Sequence, residues 1–168
     1  MAGNKVTNGI AKIEFAPLAA DGGPGTVFAT FGLTSQGTPK ITEEDPKVTE
    51  FYAEEFDDPI DISVQKGKRE FDFAVMCAQA ADMVKVLGGT VSAGPPAAWS
   101  APDNFPLIEG SIKITPRQGQ VITVNRGSLR AKINHDLSKT GQLLLDVKIQ
   151  VLQPAKAGVK SLTYTDAA

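Results

Sequence analysis

Residues 60–89 read IDISVQKGKREFDFAVMCAQAADMVKVLGG, and the change of rhythm inside that stretch decides the fold. Up to Met76, apolar side chains recur at every second position. Ile60, Ile62 and Val64 alternate with Asp61 and Ser63; Phe71, Phe73 and Val75 alternate with Glu70 and Asp72. Period two marks a strand with one dry and one wet face. Lys66-Gly67 is a turn signal between the two runs, so the spacing predicts a long hairpin over about 60–76. From Cys77 the rhythm becomes helical. Cys77, Ala80, Ala81, Val84 and Leu87 share one face, Gln79, Asp82 and Lys85 lie opposite, and Gly88-Gly89 stop the helix.

Period two also governs the chain on either side. Ala11, Ile13 and Phe15 alternate with Lys12 and Glu14, and Val27, Ala29, Phe31 and Leu33 share one face of TVFATFGLT. Further on, Ile108, Ile112 and Ile114 form a strand face closed by Pro116, and VITVN (121–125) is a short strand. Leu129, Ala131 and Ile133 alternate with Arg130 and Lys132. The longest run is Leu143, Leu145, Val147, Ile149 and Val151, joined to the strand before it by the turn SKTG (138–141). The expected fold is α+β, mainly antiparallel β: two packed sheets, sandwich- or barrel-like, flanked by one α-helix near 77–88. It is read as a single domain over 1–168 with a flexible C-terminal tail after about 153.

Composition narrows the function. Apolar residues make up 42% and charged residues 21%, the balance of a globular chain, and the net charge of -2 argues against a strong pull toward nucleic acid or anionic membrane. No apolar run approaches the roughly 18 residues of a membrane span, and MAGNKVTNGIAKIEF has no continuous apolar core of a secretory leader. Cys77 is the single cysteine, which leaves no intrachain disulfide and no zinc cluster, so folding in a reducing cytoplasm is expected. The charge is unevenly spread: residues 1–84 carry -7 and residues 85–168 carry +5. Complementary halves suit a subunit that meets copies of itself.

The motifs of chemistry do not assemble. His135, the single histidine, sits beside Asp136 and near Ser138, but strand neighbours point to opposite faces and no nucleophile elbow is present. Cys77, on the apolar helix face, reads as a small core residue. The acids Glu54, Glu55, Asp57, Asp58 and Asp61 lack the central glycine of a calcium loop and are interrupted by Pro59. GGPGT (22–26) lacks the lysine of a phosphate loop and precedes a strand. The basic residues of the second half, Lys113, Arg117, Arg126, Arg130, Lys132 and Lys148, have no aromatics interleaved for base stacking. The expectation is a protein that is not an enzyme, with no catalytic residues, no cofactor and no metal. Trp99, in the loop SAGPPAAWSAPDNFP (92–106), is a candidate platform for a sugar or protein ligand, or an anchor for its own loop.

One segment needs a physical reason. EEDPKVTEFYAEEFDDPID (43–61) holds nine of the nineteen carboxylates beside Lys47 alone, yet also carries Val48, Phe51, Tyr52 and Phe56. Mutual repulsion disfavours compact packing of such a segment by itself, and a solvated tail has no use for the aromatics. It reads as an acidic loop that docks on a partner.

The order of elements then resembles that of the tail tube proteins of long-tailed bacteriophages and of related tube subunits of contractile injection systems. The features are an N-terminal strand pair, the acidic loop at about 43–61, the hairpin at about 60–76, the helix at 77–88, a loop, and C-terminal strands to about 152. The resemblance implies subunits that form six-membered rings around a channel, rings that stack into a tube, and long loops and hairpin tips that join one ring to the next. It further implies residence in the virion tail after synthesis in the bacterial host cytoplasm. The implied partners are other copies of the chain and other tail proteins (terminator, tape measure, baseplate or tip), with no membrane. DNA would pass transiently, without specific binding, since a channel for a polyanion should repel it weakly. Candidate contacts between subunits are Glu43, Glu44, Asp45, Phe51, Tyr52, Glu54, Glu55, Phe56, Asp57 and Asp58, with Arg117, Arg126 and Arg130 as receiving cations. Asp61, Ser63, Glu70 and Asp72 are candidates for the channel lining. The alternative, from another class, is a monomeric β-sandwich module that binds carbohydrate or protein through the Trp99 loop.

Overall fold

The structure, a computed structural model, describes residues 6–76, 78–136 and 138–166. Its fold is α+β and mainly antiparallel, with one helix directly after the strand that ends at Met76. The strands are β1 (Lys12–Pro17), β2 (Ala29–Thr30), β3 (Leu33–Thr34), β4 (Lys40–Glu43), β5 (Lys47–Phe51), β6 (Asp61–Gln65) and β7 (Arg69–Met76), followed by α1 (Ala80–Leu87). Next come β8 (Thr90–Val91), β9 (Trp99–Ser100), β10 (Ile108–Thr115), β11 (Val121–His135), β12 (Leu143–Val151) and β13 (Leu162–Thr165).

The main sheet runs β2-β1-β10-β11-β12-β7-β3, with β13 beside β11 and β4 beside β7. Its two outermost strands, β2 and β3, belong to one continuous segment. Phe31 N–H donates to the Ile13 carbonyl at 3.0 Å, and Ser35 N–H donates to the Ala74 carbonyl at 2.8 Å. Residues 29–35 therefore bond β1 on one side and β7 on the other, and the sheet closes on itself as a small barrel. Closure uses up two edges that would otherwise pair with other chains.

Alternation fills the interior. Ile13 and Phe15 of β1 lie opposite Ile114 and Ile112 of β10, and Leu145, Val147 and Ile149 of β12 lie opposite Val75, Phe73 and Phe71 of β7. All belong to one buried cluster. At the seam the rings of Phe15 and Phe31 are 5.9 Å apart, Phe31 and Phe73 5.7 Å, and Phe73 and Phe71 5.3 Å, all tilted. Phe31 is thus the inward aromatic side chain of the closing segment, with Ser35 buried at its end. Val27 and Leu33, expected on the same dry face, are exposed, as is Ala29. Only Ala29–Thr30 and Leu33–Thr34 pair as strand as the segment crosses from one edge to the other, so the expected alternation is not kept.

Three expectations need correction. The hairpin expected at 60–76 does not form between its own two halves: β6 pairs with β5, and β7 pairs with β4, β12 and β3. Lys66-Gly67 is a joint within a chain that keeps going. The tail after about 153 is strapped down: β13 pairs with Val121–Val124, Pro154 is buried, and Asn125 Nδ2 donates to the Lys160 carbonyl at 2.8 Å. The helix spans Ala80–Leu87 and buries Asp82, Val86 and Leu87, whereas Ala81 is exposed. An acid occupies a buried position there because Lys85 Nζ meets Asp82 Oδ1 at 2.9 Å. The same ammonium lies 6.0 Å from the Phe31 ring centroid, so the helix braces the seam. Cys77 lies outside the described residues.

Truncating Phe31 to alanine should cost about 3–5 kcal/mol in urea unfolding, whereas Leu33→Ala should stay within about 0.5 kcal/mol. Similar losses for both would show that the seam is not a core contact.

Candidate assembly surfaces

The acidic segment is built as strand, not loop. In the pairing of β4 with β7, Lys40 faces Asp72 and Glu43 faces Arg69; in that of β5 with β6, Lys47 faces Gln65 and Phe51 faces Asp61. Between these ladders three residues on one strand (44–46) oppose three on the other (66–68), and Glu44 N–H donates to the Lys68 carbonyl at 2.9 Å. No residue is inserted, so β4-β5 and β6-β7 are two rails of one continuous ribbon. Gly67 permits the close crossing at the joint: a Cβ there would lie 1.8 Å from the Glu44 carbonyl oxygen.

The ribbon leaves the body because its neighbour stops. The last β12 residue paired with β7 is Gln150, opposite Glu70, and β12 ends at Val151. Beyond that point the ribbon has only its own two strands. Every residue of β5 and of β6 is exposed. Val48 faces Val64 and Glu50 faces Ile62 across the arm. One face therefore carries Val48, Ile62 and Val64 in water, with Glu50 as its one charged member and Val64 at 64% exposure. Its opposite face carries Lys47, Thr49 and Phe51 with Asp61, Ser63 and Gln65. A two-stranded hairpin with neither face covered is at best marginally stable in water. The arm is a surface awaiting a partner.

At the end of the arm the chain turns through residues 52–60, with Phe56 N–H donating to the Ala53 carbonyl at 3.2 Å and Ile60 N–H to that of Phe51 at 2.8 Å. Phe56, 65% exposed, stands among Glu54, Glu55, Asp57 and Asp58. The Tyr52 hydroxyl donates to Glu50, which raises the phenol above its ordinary pKa.

The other candidates scatter. Glu43 pairs with Arg69 at 2.7 Å, at the base of the arm. Arg126 grips Glu109 through Nε (3.0 Å) and Nη2 (3.2 Å) and donates to the Gln153 carbonyl, so it is engaged inside its own chain. Arg117 is exposed and Arg130 donates to Gln150 Oε1 at 2.6 Å; neither forms an ion pair among the described residues. Asp61 and Ser63 lie on the polar face of the arm, whereas Glu70 and Asp72 lie on the wet face of β7 and so alternate out of phase with them. The four expected channel-lining residues do not form one surface.

Glu70 and Asp72 instead belong to a charged outer face spanning β7, β12 and β11. Lys68 Nζ lies 2.6 Å from Glu70, and Lys148 Nζ lies 3.5 Å from Glu70 and 3.6 Å from Asp72. Lys132 lies 3.8 Å from Asp146. Lys68, then Lys148, holds the Glu70 carboxyl below its ordinary pKa. A groove of about 490 Å³ runs over this face between Arg130, Lys132, Lys148, Asp72 and Asp146. The sequence marks Arg130, Lys132 and Lys148 among the basic residues of the second half, but not their meeting with Asp72 of β7.

Trp99 donates its indole N–H to the Gly88 carbonyl at 2.8 Å and packs against the core, tying the 92–106 loop to the end of α1. Asp136 accepts from Ser138 N–H at 3.0 Å, which lowers its pKa and shapes the β11–β12 turn; the His135 side chain lies outside what the structure describes. Among the described residues there is no group of three side chains suited to hold a metal ion, and no helix long and apolar enough to cross a membrane. No protein-family model matches the chain, and no curated protein matches it in sequence.

The Glu70 shift gives a pH dependence. Its folded-state pKa is depressed, so its contribution is present above the ordinary glutamate value and is lost as pH falls through the folded value. The urea midpoint of the native chain should fall more steeply than that of Glu70→Gln from neutrality to about pH 3, so that the two converge in acid. Parallel curves would show that the Lys68–Glu70–Lys148 cluster contributes nothing.

Proposed function

We propose that this chain is a structural subunit that self-assembles into stacked rings, the tube of a phage tail through which the genome is delivered, and that it performs no catalysis. The observation that carries the reading is the arm: a ribbon that continues out of a closed barrel with an apolar face and an aromatic tip exposed. Such a surface is stabilised when another copy covers it. Apolar area removed from water is worth about 25 cal/mol per Å², and the two strands of the arm gain order at the same time. The body suits the role because the closing segment has already used the edges of β1 and β7, which directs association to the arm. The excess of acid in the first half and of base in the second gives copies a reason to meet in a fixed orientation. On this reading the protein resides in the virion tail, and its partners are further copies and the proteins at the two ends of the tube.

Negative-stain electron microscopy with light scattering on the purified chain should show rings or hollow tubes. Ile62→Glu, on the exposed apolar face of the arm, should leave thermal unfolding of the body nearly unchanged while weakening self-association at least about tenfold, equivalent to about 1.4 kcal/mol. A native chain that stays monomeric across concentration and salt would overturn the reading.

A further inference from the structure

The arm tip and the outer groove are complementary, and each has what the other lacks. The tip offers exposed aromatic rings, of which Phe56 is the most exposed and has carboxylates on both sides of it, with no ion pair to Glu54, Glu55, Asp57 or Asp58 among the described residues. The groove offers a mostly apolar interior rimmed by Arg130, Lys132 and Lys148. The cations are only loosely engaged within the chain: Lys148 lies between Glu70 at 3.5 Å and Asp72 at 3.6 Å, and Lys132 lies 3.8 Å from Asp146, all long for charge-assisted hydrogen bonds. Arg130 meets only a neutral amide, so its guanidinium fork can still take a carboxylate in bidentate fashion.

We propose that the groove between Arg130, Lys132 and Lys148 is the receptor for the arm tip of a second copy, with Phe56 entering the groove and the flanking carboxylates settling on the three cations. This specifies the contact within the self-assembly reading and rests on it. The contact is between molecules because of the length of the ribbon. Asp61, at the start of the arm's return strand, and Asp72, beside the groove, are eleven residues apart on extended chain, roughly 35 Å at strand rise. The tip of one chain therefore cannot fold back onto its own groove while the ribbon stays straight. A tip-to-groove contact joins two different patches, so it repeats from copy to copy and builds rings or columns, not a closed pair. A buried aromatic ringed by charge is the anatomy of a binding hot spot, with the ring supplying affinity and the charges setting register.

The test uses the full chain and three variants: Phe56→Ser, Arg130→Glu, and Arg130→Glu combined with Glu55→Arg and Asp57→Arg. Association is read by sedimentation velocity. Zero-length carbodiimide coupling with mass spectrometry then locates which lysines join the 54–58 carboxylates of another copy. Phe56 and Arg130 are both exposed, and circular dichroism melts check that each variant folds. The expected result is at least tenfold weaker association for Phe56→Ser and Arg130→Glu, substantial recovery in the triple variant, and intermolecular links to Lys132 or Lys148. A native chain that assembles, and loses assembly with Ile62→Glu but not with either single variant, would overturn the tip-to-groove contact and leave the self-assembly reading intact. A groove whose charge reversal abolishes retention of duplex DNA while assembly persists would assign it to phosphate and overturn the proposal. A native chain that never assembles removes both.

Discussion

The pairing of residues 29–35 with β1 on one side and β7 on the other is the contact on which the rest of the structure depends. It turns an open antiparallel sheet into a barrel and brings Phe31 into the aromatic row of Phe15, Phe73 and Phe71. Asp82 and Lys85 of the helix lie against the same seam, so helix and barrel support one another. With the barrel closed, strand length decides what is left outside. β12 stops at Val151 while the β4-β5 and β6-β7 rails continue, and the arm is the part of the ribbon that outlasts its neighbour.

Much of this was written in the alternation of single strands. The apolar runs of β10, β11 and β12 appear where the sequence places them. The closing segment, by contrast, keeps only Phe31 of its expected dry face inside, and the helix begins at Ala80, with Asp82 and Val86 buried in place of Ala81. The hairpin was misread for a definable reason. Apolar residues occupy even positions in Ile60, Ile62 and Val64 and odd positions in Phe71, Phe73 and Val75. A turn at Lys66-Gly67 explains that change of phase, but so does a strand that passes from a barrel wall into an arm whose opposite face is apolar. The partner strand holds the deciding signal: Ile41 is odd and Val48 is even, so both rails change phase across the same joint. Pairing register is a long-range property, and one sequence does not display it.

The same distinction separates the legible from the illegible parts of the candidate surface. The coexistence of carboxylates with Phe51, Tyr52 and Phe56 marked the arm correctly as something other than solvated tail. What composition does not convey is which charges are already used. Glu43 is committed to Arg69, and Arg126 to Glu109, across sequence gaps that no local pattern spans. The groove is further out of reach, since Asp72, Arg130, Lys148 and their neighbours become adjacent only when β7, β12 and β11 are in register.

The arm is the least self-sufficient element of the fold, because an isolated ribbon lacks a third strand or a covered face to hold it. Its order is therefore tied to what it meets, while the barrel stands on its own core. Amide hydrogen exchange on the dispersed and assembled chain tests that division most directly. The account predicts fast exchange over residues 47–65 in the dispersed chain and strong protection of the same amides after assembly, with the β7–β12 ladder protected alike in both states. Arm amides already as protected as that ladder in the monomer, or unchanged by assembly, would contradict it.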